Sequence, residues 1–460
     1  MTNRWKLTAL LAAGLIGSSV RADDWPQWHG PQRDGVWRED GIVAEMPKKP
    51  SYKWRTLIGA GYAGPAVAGD RVFVHDRVLD EGAKNPDNPF ARASIPGKER
   101  IHALEEASGK ILWTHEYPCN YTISYGSGPR CTPVVSDGKL FTLGAMGHLK
   151  CLNAVDGKVI WEKDLAKEYK APAQLWGYSA HPLLDGERLI CLVGGTASVV
   201  AFHKDTGQEI WQSMAVAQPG YCPPVIYKIN GVNQLIIWHP EAVNGLDPVT
   251  GKVLWSVPFQ LHRSSLAIPM PRLDGDRIFV TSFYNGPLML RVAGDPPSAK
   301  QLWKGGSNSE QPKKTVGLHS IMPTPVIDNG YIFGVCSYGQ LRCLKADTGD
   351  RVWETMRATR PVKDGKIDER TDNINEDDRW GNAFLTPQSG RYWLFNEHGD
   401  LILAKLSGQG YQELGRMNII APDNQMARHP VVWSHPAYAH RCCYVRNDSE
   451  IVCVDLAEKK

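Results

Sequence analysis

The chain lacks the short signatures that usually announce chemistry. Its 460 residues hold no Gly-x-Ser-x-Gly elbow, no His-Glu-x-x-His helix and no phosphate-cradling loop. None of its ten cysteines stands in Cys-x-x-Cys spacing, which excludes a covalent haem site and a zinc knuckle. Neither sign of charge dominates: the formal net charge is +3, with 22% charged residues, giving no basis for a nucleic-acid or membrane-surface partner. Long apolar runs are missing too. The longest one near the start, residues 7–16, is too short to span a bilayer.

That run follows Arg4 and Lys6 and precedes Val20-Arg21-Ala22, a small-x-small cleavage pattern. Residues 1–22 therefore read as a secretory leader, and the mature chain as exported, periplasmic or secreted. Asp23, not a cysteine, would begin it, so no lipid anchor is expected. Most cysteines lie in apolar strand-like runs, where buried free thiols are expected. Cys336 with Cys343, and Cys443 with Cys453, flank short turns and could face each other across hairpins.

What the chain has in quantity is glycine and tryptophan, 44 and 16 residues, and they recur together. Residues 347–353 read D-T-G-D-R-V-W; 107–113, 155–161, 205–211 and 249–255 read A-S-G-K-I-L-W, V-D-G-K-V-I-W, D-T-G-Q-E-I-W and V-T-G-K-V-L-W. Glycine permits the positive φ of a tight hairpin, and the apolar run then opens a strand. Trp54, Trp113, Trp161, Trp211, Trp255, Trp303 and Trp353 recur at intervals of 44 to 59 residues. Within each interval come a Pro-led small strand, an Asp-Gly-type turn, a second strand, a variable loop, a third strand and the glycine hairpin. Four short antiparallel strands per unit predict a β-propeller blade.

Two weaker units, 386–414 and 436–456, complete the count. The last keeps three strands, and Tyr52-Lys53-Trp54-Arg55 supplies a strand with no blade before it. The expectation is an all-β, eight-bladed propeller over residues 52–457, its ring closed by an N-terminal strand, with an ordered cap over residues 23–51. Seven blades would result if one degenerate unit were an insertion. Residues 78–98 and 356–379 are insertions. The acidic run 372–378 offers oxygen ligands but lacks the Gly and Glu spacing of a calcium loop, so a solvated loop is expected.

These repeats resemble the PQQ-like propeller family, whose blades carry an Asp, a Thr-Gly pair and a closing Trp. The best matches are residues 346–353 and 205–211, the poorest 291–303, and Trp25-Pro26-Gln27-Trp28 with Gly30-Pro31 resembles its exported bacterial subgroup. The resemblance implies one of two functions. Some members are dehydrogenases holding PQQ and calcium on the axis; others, including outer-membrane assembly lipoproteins, hold no cofactor and serve as binding scaffolds. Fold does not choose between them. Cys442-Cys443 resembles the vicinal disulfide of some of the dehydrogenases, but here it lies within a strand.

Strand order places a site. Loops entering the first strands, and loops joining second to third strands, share one face of the ring. The former carry Tyr62, Arg130, Tyr178, His181, Tyr221, Arg263, His319, Arg379, Asn382, Arg428 and His435; the latter carry His148, His239, Glu241, Tyr284, Tyr338 and His398. The candidate ligand-binding set is Tyr62, Arg130, Tyr178, His181, Tyr221, His239, Glu241, His319, Arg379, Asn382 and His435. Their chemistry predicts a polar axial pocket for an anionic or sugar-like ligand. The expected role is a monomeric scaffold binding a small molecule, a glycan or an envelope protein, with no catalytic residue assigned. PQQ-dependent oxidation of alcohols or sugars is the alternative. Polysaccharide cleavage, with His319 or His181 as base, is a further one.

Overall fold

The computed structural model describes residues 23–261, 266–425 and 428–459, so the leader and Arg263 lie outside the described residues. Eight four-stranded antiparallel sheets form a ring. The fold class is thus all-β, with eight blades. In the first blade the strands are Ala66–Ala68, Arg71–Leu79, Gly97–Glu105 and Ile111–Pro118, counted from the axis outward. Each following blade repeats that order. The eighth takes Ala437–Ala439, Cys442–Arg446 and Glu450–Asp455 from the C-terminal end, and Tyr52–Leu57 from the other end as its outermost strand. Trp54 pairs with Cys453 and Thr56 with Ile451, so the ring closes by backbone hydrogen bonds between distant parts of the chain.

Indoles join neighbouring blades. The Trp113 ring lies over Gly157 of the next blade, where a Cβ would stand 2.6 Å from it, and its N–H donates to Ala154 O at 3.2 Å. Trp161 does the same over Gly207, Trp211 over Gly251 and Trp303 over Gly349. Trp54 does it over Gly109 across the ring closure. The hairpin glycine therefore has two duties: it adopts positive φ, and it leaves a bare backbone on which the indole can lie. Three junctions differ. Between blades 6 and 7 Trp353 donates to Ser407 O at 2.8 Å, but the hairpin Gly408 faces the Tyr331 ring instead of the indole. The fifth blade has no such hairpin, and Trp255 turns its N–H to Gln234 Oε1 of its own blade at 2.6 Å. The seventh blade, strands Ala383–Gln388 to Gly410–Asn418, has no tryptophan in its outer strand, and Met46 packs against Gly415 instead.

The ten cysteines are free and buried. Cys443 lies opposite Val454, and Cys453 opposite Tyr444, so the suggested Cys443–Cys453 pair is out of register. Cys343 lies opposite Phe333, while Cys336 Sγ accepts from Arg342, so that suggested pair does not form either. The segment 356–379 folds around Arg360, whose guanidinium holds Asp378 at 2.9 Å and Asn373 Oδ1 at 3.0 Å, while Asp372, Glu376 and Asp377 are exposed.

The innermost strands of six blades are three residues long and leave the axis open. Residues 24–43 occupy it. Trp25 bridges Val67 of blade 1, Pro26 O accepts from Val135 N–H of blade 2, and Arg33 donates to His181 O and Pro182 O of blade 3. Arg272 of blade 5 donates to Asp34 O, Trp37 N–H to Pro387 O of blade 7, and Arg441 N–H of blade 8 to Glu39. Turns at His29, Gly30, Arg33 and Gly35, all at positive φ, fold this segment back on itself inside the ring.

Gly157 and Gly138 share nearly the same φ, +72° and +71°, but only Gly157 faces an indole, Gly138 having open space. Alanine at either position should cost about 1–2 kcal/mol for the left-handed backbone. At Gly157 a further cost of about 1–3 kcal/mol is expected as Trp113 is displaced. Urea unfolding of Gly157→Ala and Gly138→Ala measures the difference; equal midpoints would remove the indole contact from the account of blade association.

Candidate functional site

A blind pocket of about 530 Å³ opens on the face where the first-strand loops converge. Its floor comes from the plug. The Trp28 indole stacks on His181, centroids 4.6 Å apart and planes 7° apart, with His435 edge-on at 5.6 Å and His29 at 3.9 Å. One wall is a run of rings from separate blades. Tyr62 neighbours Trp433 at 6.4 Å, Trp433 neighbours Tyr125 at 5.9 Å, Tyr125 meets Phe90 at 5.2 Å, and Phe90 meets Trp380 at 5.7 Å. Opposite stand Trp176 with Tyr221 at 5.6 Å, Phe283 with Tyr284 at 4.9 Å, and the aliphatic Leu266, Ile268, Ile321 and Met322.

Six residues of the candidate set line this pocket: Tyr62, Arg130, His181, Tyr221, Arg379 and His435. Tyr284 and Arg428 join them. Five do not. Tyr178 turns into the core between blades and donates its hydroxyl to Ala171 O at 2.7 Å. His239 is buried with Nδ1 accepting from Glu241 N–H at 3.2 Å, and Glu241 itself is exposed to solvent. His319 packs against Gly286 with Nδ1 3.2 Å from Phe283 O, behind the wall rather than in it. Asn382 is fully buried and neither of its amide atoms has a hydrogen-bond partner, but it does not reach the pocket. Tyr338 donates to Glu376 at 3.0 Å, and His148 lies 3.7 Å from Cys119 Sγ, away from the axis.

The pocket is aromatic where a polar one was expected, and the arginines explain part of the difference. Arg130 spends its donors on the loop carbonyls of Ser124, Tyr125 and Gly128 and lies over the Tyr62 ring at 5.1 Å. Arg379 faces Glu310 at 3.3 Å and Trp380 at 5.2 Å, while Arg428 holds Glu376 at 3.2 Å. Arg130 braces its own loop, and Arg379 and Arg428 are paired with carboxylates at the rim. Trp28, Phe90, Tyr125, Trp176, Trp380 and Trp433 were not among the sequence candidates. A usable signal existed: Phe90 and Trp380 lie in or beside the two insertions, and Trp28 lies in the cap.

Burial sets the protonation of the floor. It lowers the His435 imidazole to about 3, and holds His181 and His29 well below their ordinary value. Thr132 N–H donates to His181 Nδ1 at 3.0 Å, which leaves the proton on Nε2. Trp28 Nε1, His29 Nδ1 and His435 Nε2 are buried without protein partners. Burial also raises the Tyr62 phenol to about 12. A neutral floor of this kind can exchange hydrogen bonds with a polar tip, but its imidazoles are weak bases.

PQQ with calcium needs carboxylate or carboxamide oxygens for the ion and a carboxylate base beside the quinone. Among the described lining residues there is no Asp, Glu, Asn or Gln. The mouth carboxylates Glu310 and Glu376 are taken by Arg379 and Arg428. The residues present do not fit that group, and no step is derived through it. Polysaccharide cleavage fits no better: His319 lies behind the wall, lowered to about 4 by burial, and His181, which does line the floor, is held by burial well below its ordinary value.

A sequence-family model, PQQ_2, described as outer membrane protein assembly factor BamB, matches residues 97–355. Outer membrane protein assembly factor BamB of Yersinia pestis is 26% identical over 263 residues, 55% of this chain and 58% of the relative. Polyvinylalcohol dehydrogenase of Sphingopyxis sp. (strain 113P3) is 24% identical over 294 residues, 49% of this chain and 44% of the relative. The chain thus spans about half the length of the curated relatives it matches. The crystal structure of BamB from Moraxella catarrhalis superposes with a TM-score of 0.53 at 13% identity, covering 88% of this chain and 99% of that one, a likeness of fold. The family match runs from the third strand of blade 1 to the last strand of blade 6. Of the ring wall, only Tyr125 falls inside it; Tyr62, Phe90, Trp380 and Trp433, with Trp28 of the floor, fall outside.

The buried imidazoles set a pH dependence. His29, His181 and His435 stay neutral in the fold, while the unfolded chain takes up their protons below about pH 6.5. The unfolded state then binds more protons, so stability falls on acidification. The slope is about 1.4 kcal/mol per pH unit for each proton involved. His440, raised to about 10 first by Asp24 and then by Glu106, acts in the alkaline window: its contribution is whole below about pH 6.5 and is lost as pH rises through about 10. Urea midpoints should therefore peak near neutrality, and His435→Gln should flatten the acid limb. An unchanged acid limb in that variant would contradict the neutral floor.

Proposed function

The chain belongs to the PQQ_2 family, that of outer membrane protein assembly factor BamB, and from that premise we propose that it is an exported binding scaffold, whose axial pocket captures an aromatic or apolar group presented by an envelope protein. One observation carries this reading: the plugged axis ends in a blind pocket walled by aromatic rings from several blades and devoid of carboxylates. Its volume is in the range of pockets that enclose a drug-sized group or a few side chains. Aromatic walls supply large contact area at low conformational cost, and rings held in mutual contact are preorganised for it. The mouth loops that carry the rings sit on a rigid ring of blades, the usual division between scaffold and recognition surface.

The same features speak for binding rather than turnover. Catalysis by proton transfer wants a group poised near neutral pH and within reach of the reacting atom. The floor imidazoles are held far from that range, and the rim arginines are already paired. A cationic group is disfavoured as ligand, because Arg130 and Arg379 already occupy faces of the rings.

The test uses the rim residues, which are accessible. A fluorescent anilinonaphthalene sulfonate should bind one site per chain, and Trp380→Ala or Trp433→Ala should weaken it by at least about tenfold, the loss of one ring contact pair and its buried area. An envelope protein retained on the immobilised wild-type chain should be released by excess probe and not retained by either variant. Retention of the same protein by both variants, undisturbed by the probe, would sink the pocket as the point of capture.

A further inference from the structure

Three groups of described residues bring histidine, cysteine or carboxylate atoms within 4.8 Å of one another: Glu99 with Cys119 and His148, Glu187 with His203 and Asp205, and Glu397 with His398 and His429. The first is sealed and satisfied. Glu99 is fully buried and accepts from the Tyr117 and Tyr121 hydroxyls and from Ala145 N–H at 2.9 Å. The second already holds cations: Lys204 stands 3.2 Å from Glu187, and Lys139 stands 2.9 Å from Asp205. The third has neither defect.

Glu397 and His398 form the turn between the strands Arg391–Asn396 and Asp400–Ser407 of blade 7, on the mouth face. The loop into blade 8 brings His429 across to them. Its Nε2 lies 3.0 Å from Glu397 Oε1, and its ring stacks on His398 at 5.1 Å with planes 24° apart. The other oxygen of Glu397 accepts from Trp433 Nε1 at 3.0 Å. The surroundings are acidic. Asp400 bears on His398, and Asp377 and Asp378 bear on His429. The nearby cations are engaged elsewhere, Arg416 with Asp400 and Glu413, and Arg428 with Glu376.

We infer that Glu397, His398 and His429 form a site for one divalent transition-metal ion of the zinc class, beside the axial pocket. Two imidazole nitrogens and one carboxylate oxygen are a donor set that zinc accepts, whereas calcium or magnesium would want more oxygens. Three protein donors leave a position of a tetrahedral ion for water or for a donor brought by a bound molecule. Trp433 is the outer partner that orients the carboxylate, and its ring also belongs to the pocket wall. Ion and pocket thus share a side chain. The inference does not rest on the scaffold reading, since it concerns donors that the pocket does not contain.

Isothermal titration of the untagged, metal-stripped full chain with zinc alone tests it. One equivalent should bind, and cobalt(II) in its place should give the visible bands of a tetrahedral site. His398→Ala and His429→Ala should each weaken zinc by at least about tenfold, and Trp433→Phe should weaken it by about tenfold with the stoichiometry kept. His398→Asn, a milder change at a half-buried position, should act like His398→Ala, and His203→Ala should have no effect. Absence of a saturable equivalent of zinc, or undiminished binding by the His398→Ala/His429→Ala double variant, would overturn it.

Discussion

Eight blades leave an opening on the ring axis that their own short inner strands do not fill, and residues 24–43 meet that constraint. The segment is held by backbone and side-chain hydrogen bonds to blades 1, 2, 3, 5, 7 and 8. Because no one blade holds it, it binds the ring together from inside while it closes the channel. Trp28 then becomes the bottom of a pocket instead of a residue in a tunnel. The price is a set of buried polar atoms, among them Arg33, which has no carboxylate partner and is lowered by burial to about 10. Carbonyl oxygens of blade 3 and the Trp28 ring at 5.5 Å accommodate its charge.

From outside, the ring is joined by indoles lying on glycines, a contact that needs both residues at fixed places. The junctions that lack it are the informative ones. Blade 5 has lost the hairpin and blade 7 the tryptophan, and at the latter junction the chain entering the ring contributes Met46 and the Tyr52 hydroxyl, which donates to Ile419 O at 3.1 Å. The N-terminal segment thus fills the seam where the outer strand has no indole, next to the point where the ring closes. Plug, repair and closing strand are successive parts of one stretch of chain.

The site's chemistry follows from where the plug ends. Above it, side chains from loops of different blades meet without carboxylates among them, so rings pack on rings, and burial keeps the imidazoles neutral. At the rim, solvent returns, and the arginines find acidic partners. A pocket with a neutral floor, aromatic walls and a paired polar rim is suited to holding an apolar group. The family match leaves out Trp28, Tyr62 and Phe90 before its start and Trp380 and Trp433 beyond its end.

Periodicity determined the ring. The glycine hairpin, the tryptophan strand and their spacing are local features, and a repeat needs only its neighbours to fold, so blade count, strand order and the closing strand Tyr52–Leu57 were legible in the sequence. So was the face on which the pocket opens, because loop position follows from strand order. Which side chains enter the pocket was decided only in three dimensions. Loops have no fixed side-chain period, and Phe90 meets Trp380, or Glu397 meets His429, only once the ring is closed. His319 and Tyr178 carry the expected chemistry at the expected loops, yet packing turns one behind the wall and the other into the core. The cap was visible as a dense run of Trp, Pro and Gly, but its place on the axis depends on contacts with six blades at once, which no local pattern encodes.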